Sequence, residues 1–161
     1  MAKRNKQPAR LKIRPGQGKG KRIGIVVSKF NEFITKRLFK ACYAELKRQG
    51  VQEKDLTVVW VPGSVEIPVT ALKLANKNTI DAVICLGAVI RGETIHFELV
   101  AHAAAEGVSQ VALLTQKPII FGVITTETIE QAYERAQEKG ENKGRDAAQA
   151  AVEMVNLLAK I

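Results

Sequence analysis

The chain has 161 residues and a mass of 17.6 kDa, with 46% hydrophobic and 25% charged side chains. That is the length and composition of one ordinary folded domain, and no apolar run approaches the roughly 18 residues that span a bilayer, so membrane-spanning, collagen-like and wholly disordered chains are excluded. The formal charge of +9 is local: residues 1–22 hold nine of the 25 Lys and Arg and no acid, which leaves the rest balanced at 16 basic against 16 acidic side chains.

The first segment, residues 1–20, is rich in Gly, Pro, Gln and Lys and has almost nothing to bury, so it is expected to be a basic, mostly flexible arm ahead of an α/β domain over 21–161. A solvated extension that does not bind nucleic acid is the plain expectation, and binding of polyanions such as RNA is the alternative. Residues 16–21 (GQGKGK) look superficially like a phosphate loop, but they precede the first strand and lack the G-x-x-x-x-G-K-[ST] spacing. The arm also lacks the apolar segment of a secretory signal, so a cytoplasmic protein is expected.

Beyond the arm, short β-branched runs alternate with helical periodicity. Residues 22–28 (RIGIVVS) read as a strand covered on both faces. A helix is expected over 34–49, where Ile34, Leu38, Ala41, Cys42, Glu45 and Leu46 share one stripe and Gly50 stops it. The unit then recurs: a strand at 56–61 and a helix over 66–76, then a strand at 81–87 and a helix over 96–106. A further apolar run at 108–114 leads to a strand at 118–124, and two last helices are expected over 127–138 and 146–159. Strands alternating with helices imply a parallel sheet covered on both sides, a three-layer α/β/α sandwich.

In open parallel sheets ligands bind outside the carboxyl ends of the strands. Four loops fall there: 29–31, 62–66, 88–96 and 125–127. His96 is expected at the start of a helix, where the positive end of the macrodipole disfavours imidazolium and leaves a neutral ring able to take or relay a proton. Its plain alternative is a capping or packing histidine. His102 falls about 600° further round the same helix and is expected to be structural. Gly92, Glu93 and Thr94 could present N–H groups and a hydroxyl to an anion, or form only a turn and cap. Phe30, directly after the first strand, would stack on a flat heterocycle if its ring is exposed. Glu66 could accept from ligand hydroxyls or ring N–H groups, or simply favour a helix start. Arg135 could reach a phosphate, or pair along its own helix with Glu127, Gln131 and Glu138.

Cys42 and Cys85 stand alone in apolar surroundings with no C-x-x-C, and two histidines complete no recognisable zinc spacing with them. Buried thiols in a reducing compartment, with no structural metal, are expected.

Taken in order, Phe30-Asn31, WVPGSVEIP at 60–68, LGAVIRGETIHFE at 86–98, FGVITTE at 121–127, ERA at 134–136 and NKG at 142–144 resemble the lumazine synthases. The resemblance covers about residues 21–161 without large gaps. It implies a four-stranded sheet of flavodoxin-like order, and a transferase that uses neither cofactor nor metal. The implied reaction condenses 5-amino-6-(D-ribitylamino)uracil with 3,4-dihydroxy-2-butanone 4-phosphate to give 6,7-dimethyl-8-ribityllumazine, the penultimate step of riboflavin biosynthesis.

By the same resemblance Phe30 stacks on the pyrimidine, Ser64, Val65 and Glu66 line the ribityl and ring pocket, and Ala88, Val89 and Ile90 form its floor. Glu93 and Thr94 hold the phosphate mainly through backbone N–H groups, and His96 moves protons. Phe121 and Arg135 are contributed by an adjacent subunit, with Arg135 on the phosphate. Two residues depart from the family's pattern: Val65 stands where many members carry a bulky aromatic, and Glu93 where small residues are frequent, so its carboxylate must point away from a bound phosphate. The resemblance further implies a homo-oligomer, a pentamer or a 60-mer shell, with riboflavin synthase as a partner. It also implies a segment before the first strand, around Leu11 to Arg14, that adds to a neighbouring subunit's sheet. A shell-forming or polyanion-binding protein with reduced catalysis is the alternative within this fold. A nucleotide-binding module of the same topology is disfavoured, because Ser28 to Glu32 contains no glycine to cradle a phosphate.

Overall fold

The computed structural model describes residues 16–161. Its core is a four-stranded, all-parallel sheet in the order β2-β1-β3-β4, made of β1 (Ile23–Ser28), β2 (Leu56–Val61), β3 (Ala82–Ile90) and β4 (Ile119–Thr126). Helices α1 (Glu32–Arg48), α4 (Ile129–Glu134) and α5 (Lys143–Leu158) cover one face; α2 (Ile67–Ala75) and α3 (His96–Thr115) cover the other. This is the expected three-layer sandwich of flavodoxin-like order. The segment around Leu11 to Arg14 and most of the basic arm lie outside the described residues.

The two-residue side-chain period of a strand divides the core into two layers. From β1 and β3, Ile23, Ile25, Val27, Ala82, Ile84, Leu86 and Ala88 point to the α1/α5 layer, while Val26, Val83, Cys85 and Val89 point to the α2/α3 layer. Because β1 and β3 are central, both sides of each are buried, and their sequences read as unbroken apolar runs rather than as alternation.

Several boundaries differ from those expected. β3 does not stop at Gly87: Ala88, Val89 and Ile90 pair with Ile124, Thr125 and Thr126, so these three are strand residues rather than loop. The apolar run at 108–114 is the second half of α3, with Val108 and Val111 buried three residues apart on its inner side. α4 is short, and the chain after it turns back through an antiparallel bridge between Ala136 and Asn142. α5 begins at Lys143 because the Asn142 side-chain oxygen accepts from Gly144 N at 2.9 Å and Arg145 N at 3.2 Å.

Two local devices fix the packing. A Cβ on Gly144 would come within 2.0 Å of the Leu38 carbonyl oxygen, so the start of α5 lies against the backbone of α1 and admits no side chain. At the amino-terminal end of the sheet, the Lys117 ammonium donates to the carbonyls of Ala75, Lys77 and Ile80 at 2.6, 2.9 and 2.8 Å. It thereby satisfies the chain leaving α2 and holds it to the start of β4. The root of the arm is seated at the same end: Gly18 N donates to Gln49 O, and the Asn156 amide donates to Gln17 O, both at 2.9 Å.

Candidate active site

At the opposite end, outside the carboxyl ends of β1, β2 and β3, lies a mainly apolar cavity of about 500 Å³. Its size and lining are those of a small-molecule site. One wall begins where β1 ends. Lys29 N and Phe30 N donate to the Val61 and Pro62 carbonyls at 2.8 and 3.0 Å, which carries the β1–β2 pairing past the last strand residue. Asn31 then turns in the left-handed region at φ 57°, and its side-chain amide donates to Ala88 O at 2.8 Å. Asn tolerates that conformation better than most residues. The result is a rigid corner that leaves the Phe30 ring 70% exposed on the cavity rim. An exposed ring held by fixed backbone is suited to stacking rather than to packing the core.

The second wall is the turn after β2. Ser64–Glu66 forms a single 3-10 turn before α2, so the helix expected from Glu66 starts one residue later. Ser64 is buried, while Val65 and Glu66 are exposed toward the cavity. Glu66 keeps a free carboxylate, its Oε2 standing 3.0 Å from where Gly63 would carry a Cβ. The floor is β3: Ala88, Val89 and Ile90. Gly87, just before them, lets the turn seat this closely, because a Cβ there would lie 2.8 Å from Ser64 Oγ and 3.2 Å from both Ser28 Oγ and Val123 Cγ1.

The third wall is the start of α3. Gly92, Thr94, His96, Phe97 and Val100 line the cavity. The Thr94 hydroxyl accepts from His96 N at 3.4 Å, and the imidazole is exposed at the first position of the helix. The loop 91–95 therefore meets the cavity at a helix amino terminus, the end of the helix dipole that favours an anion, although Glu98 N and Leu99 N there already donate to the Ile95 carbonyl at 3.0 and 3.3 Å.

Ten of the residues singled out in the sequence are thus gathered about one cavity: Phe30, Ser64, Val65, Glu66, Ala88, Val89, Ile90, Gly92, Thr94 and His96. Glu93 is exposed and is not part of the lining. Phe121 and Arg135 lie apart from it, on a second hollow of about 430 Å³ over the edge strand β4, with Lys143 and Asp146 beside them. The intrahelical pairing considered for Arg135 is largely absent. Glu127 bonds Arg91 and Glu138 bonds Lys40, while Arg135 Nη1 reaches the Gln131 carbonyl at 3.0 Å and Glu134 at a loose 3.8 Å. The Phe121 ring is 43% exposed. Sequence reasoning missed Phe97, Val100 and Gly87; a glycine inside a β-branched run was the available signal for the last.

Among the described residues no group of three or more His, Cys, Asp or Glu side chains is placed to hold a metal ion, and no helix is long and apolar enough to cross a membrane. Both cysteines are buried. Burial pushes the Cys42 thiol far up, with Glu45 adding to the effect, and raises that of Cys85 to about 12.

A parallel sheet covered on both faces, with its crevice at the strand carboxyl ends, defines a flavodoxin-like α/β protein. Within that class the match is specific: the family model for 6,7-dimethyl-8-ribityllumazine synthase covers residues 20–159. The chain belongs to that family, a family of transferases in riboflavin biosynthesis.

Proposed function

We propose that the protein condenses 5-amino-6-(D-ribitylamino)uracil with 3,4-dihydroxy-2-butanone 4-phosphate to give 6,7-dimethyl-8-ribityllumazine, with loss of phosphate and water. The observation that carries this reading is the single cavity on which Phe30, Glu66 and His96 converge. These supply, in turn, a flat apolar face, a carboxylate acceptor and a proton carrier, the groups needed by a polyhydroxylated heterocyclic amine meeting a phosphorylated ketone.

In this reading the pyrimidine stacks on Phe30, and its ring and ribityl chain lie along Ser64, Val65 and Glu66 above the floor of Ala88, Val89 and Ile90. The phosphate is held by backbone N–H groups of the 92–94 loop. The amine attacks the ketone, the imine loses a proton and phosphate leaves, and the second amine closes the ring. His96 relays protons in these steps. None of them demands a strong electrophile, so most of the acceleration comes from holding two substrates in reactive alignment. The proton relay adds a smaller factor.

Arg135 and Phe121 complete the site from a neighbouring copy, Arg135 on the phosphate. Their hollow over β4 is separate from the cavity of the same chain, which supports a site shared between copies; in this reading the assembly is a pentamer that works in the cytoplasm. Purified protein given both substrates should develop the absorbance of the lumazine and should run as an assembly on sizing. Absence of lumazine with both substrates bound would reject the proposal.

A further inference from the structure

A loop that receives phosphate and opens with an arginine suggests that this arginine is the anion's partner. The geometry of Arg91 points elsewhere. Arg91 follows the last residue of β3, and its backbone N–H donates to Thr126 O at 2.9 Å, extending the β3–β4 pairing by one step. Its side chain does not line the cavity. Nε donates to Glu127 at 2.5 Å and Nη1 to Glu98 at 3.2 Å. The guanidinium carbon lies 4.4 Å from the centre of the Phe97 ring, and that ring is part of the cavity wall. The cation therefore sits behind the wall, facing two carboxylates.

These contacts join three elements. Glu127 follows the end of β4, Phe97 and Glu98 belong to the first turn of α3, and Arg91 itself opens the 91–95 loop. The rest of that loop is weakly held. Residues 92–95 are all exposed, nothing lies within 4 Å of the Cβ position of Gly92, and the side-chain bond inside it is the 3.4 Å contact from His96 N to Thr94.

We infer that Arg91 is a positioning residue. By pairing with Glu127 and Glu98 and stacking on Phe97 it fixes the 92–94 loop and the α3 terminus in the arrangement that receives the substrate phosphate, without touching the phosphate itself. A flat, forked cation suits this role, because it can stack on a ring while donating in two directions in its own plane. The inference rests on the proposed reaction, with the phosphate of the ketone at this loop.

The test is a double-mutant cycle of Arg91→Met and Glu127→Gln, read as KM for each substrate, kcat, and inhibition by inorganic phosphate. Glu127 is exposed, so Glu127→Gln folds even if Arg91→Met does not. A positioning Arg91 predicts that Glu127→Gln raises KM for the butanone phosphate and the phosphate inhibition constant severalfold, leaves KM for the uracil and kcat within about twofold, and has no further effect once Arg91 is Met. If Arg91 were a ligand of the phosphate, Glu127→Gln would release the guanidinium and tighten phosphate instead. Tighter or unchanged phosphate binding in Glu127→Gln overturns the inference. Wild-type protein that forms no lumazine but still binds phosphate would instead reject the proposed reaction.

Discussion

His96 and Arg135 open onto different hollows of the same chain, His96 on the cavity over β3 and Arg135 on the surface of the edge strand β4. In the proposed reaction both serve one site, and the two are then drawn from two copies. His96→Ala and Arg135→Ala proteins, each impaired alone, should therefore recover activity when unfolded together and co-assembled, because some sites then draw an intact residue from each partner. Mixed samples assayed at low butanone phosphate that show only the average of the two parents would contradict the shared site.

The imidazole is one contributor among several. Replacing His96 by Ala should lower kcat by no more than about 10²-fold, the lower end for a positioned proton carrier, and should leave both KM values close to wild type. Arg135→Ala should show the complementary pattern. A lost charged hydrogen bond is worth about 1.5–3 kcal/mol, so KM for the butanone phosphate should rise about 10- to 100-fold with a smaller change in kcat. Steady-state assays varying each substrate in turn separate the two.

Acid should weaken the fold through two carboxylates. Arg48 holds Glu45 below the usual carboxylate range through 2.7 and 2.8 Å bonds, against the cost of its burial and with help from Gln49. Burial alone would raise Asp81, but the side-chain and backbone N–H groups of Arg22 outweigh it and the net shift is downward. Both folded-state values lie below the unfolded ones. Their stabilisation is therefore complete above about pH 4.5 and is lost as pH falls through the folded-state values. Urea unfolding at a series of pH values should show stability level near neutrality and falling below about pH 4.5. Glu45→Gln should reduce stability by about 1 kcal/mol at pH 7, a figure kept small because Arg48 is exposed, and should flatten the acid decline.

The contact between α5 and α1 tolerates no added atom. Gly144→Ala would drive a methyl group into the Leu38 carbonyl, so the helices must separate. A loss of about 3 kcal/mol or more is expected by urea or thermal unfolding, at the upper end for overpacking.

Both thiols should be inert in the native protein. Cys42 and Cys85 are completely buried, and their raised ionisation leaves almost no thiolate at pH 8. An aromatic disulfide reagent should titrate neither until urea is added, and then both.

Much of this architecture was legible because the central strands carry unbroken apolar runs and the helices carry apolar residues at helical spacing. The boundaries that shifted did so where tertiary partners decide. Ala88, Val89 and Ile90 are strand because β4 is long enough to pair with them, and the run at 108–114 is helix because Ala104, Val108 and Val111 recur at helical spacing. The cavity was readable from topology, since strand ends converge whatever the side chains do. The cradles at Gly87 and Gly144 were not, since each depends on what a distant segment brings against the missing Cβ. The location of Arg91 behind Phe97 was equally invisible, because it depends on which carboxylates the fold places in reach.

The bonds around Lys117 have a chemical consequence. An ammonium whose three protons already point at three carbonyls is a poor nucleophile and cannot be acylated without giving up two of those bonds. Amine-directed labelling of the native protein should therefore spare this lysine while modifying exposed ones such as Lys36, which makes its reactivity a local reporter of the link between α2 and β4.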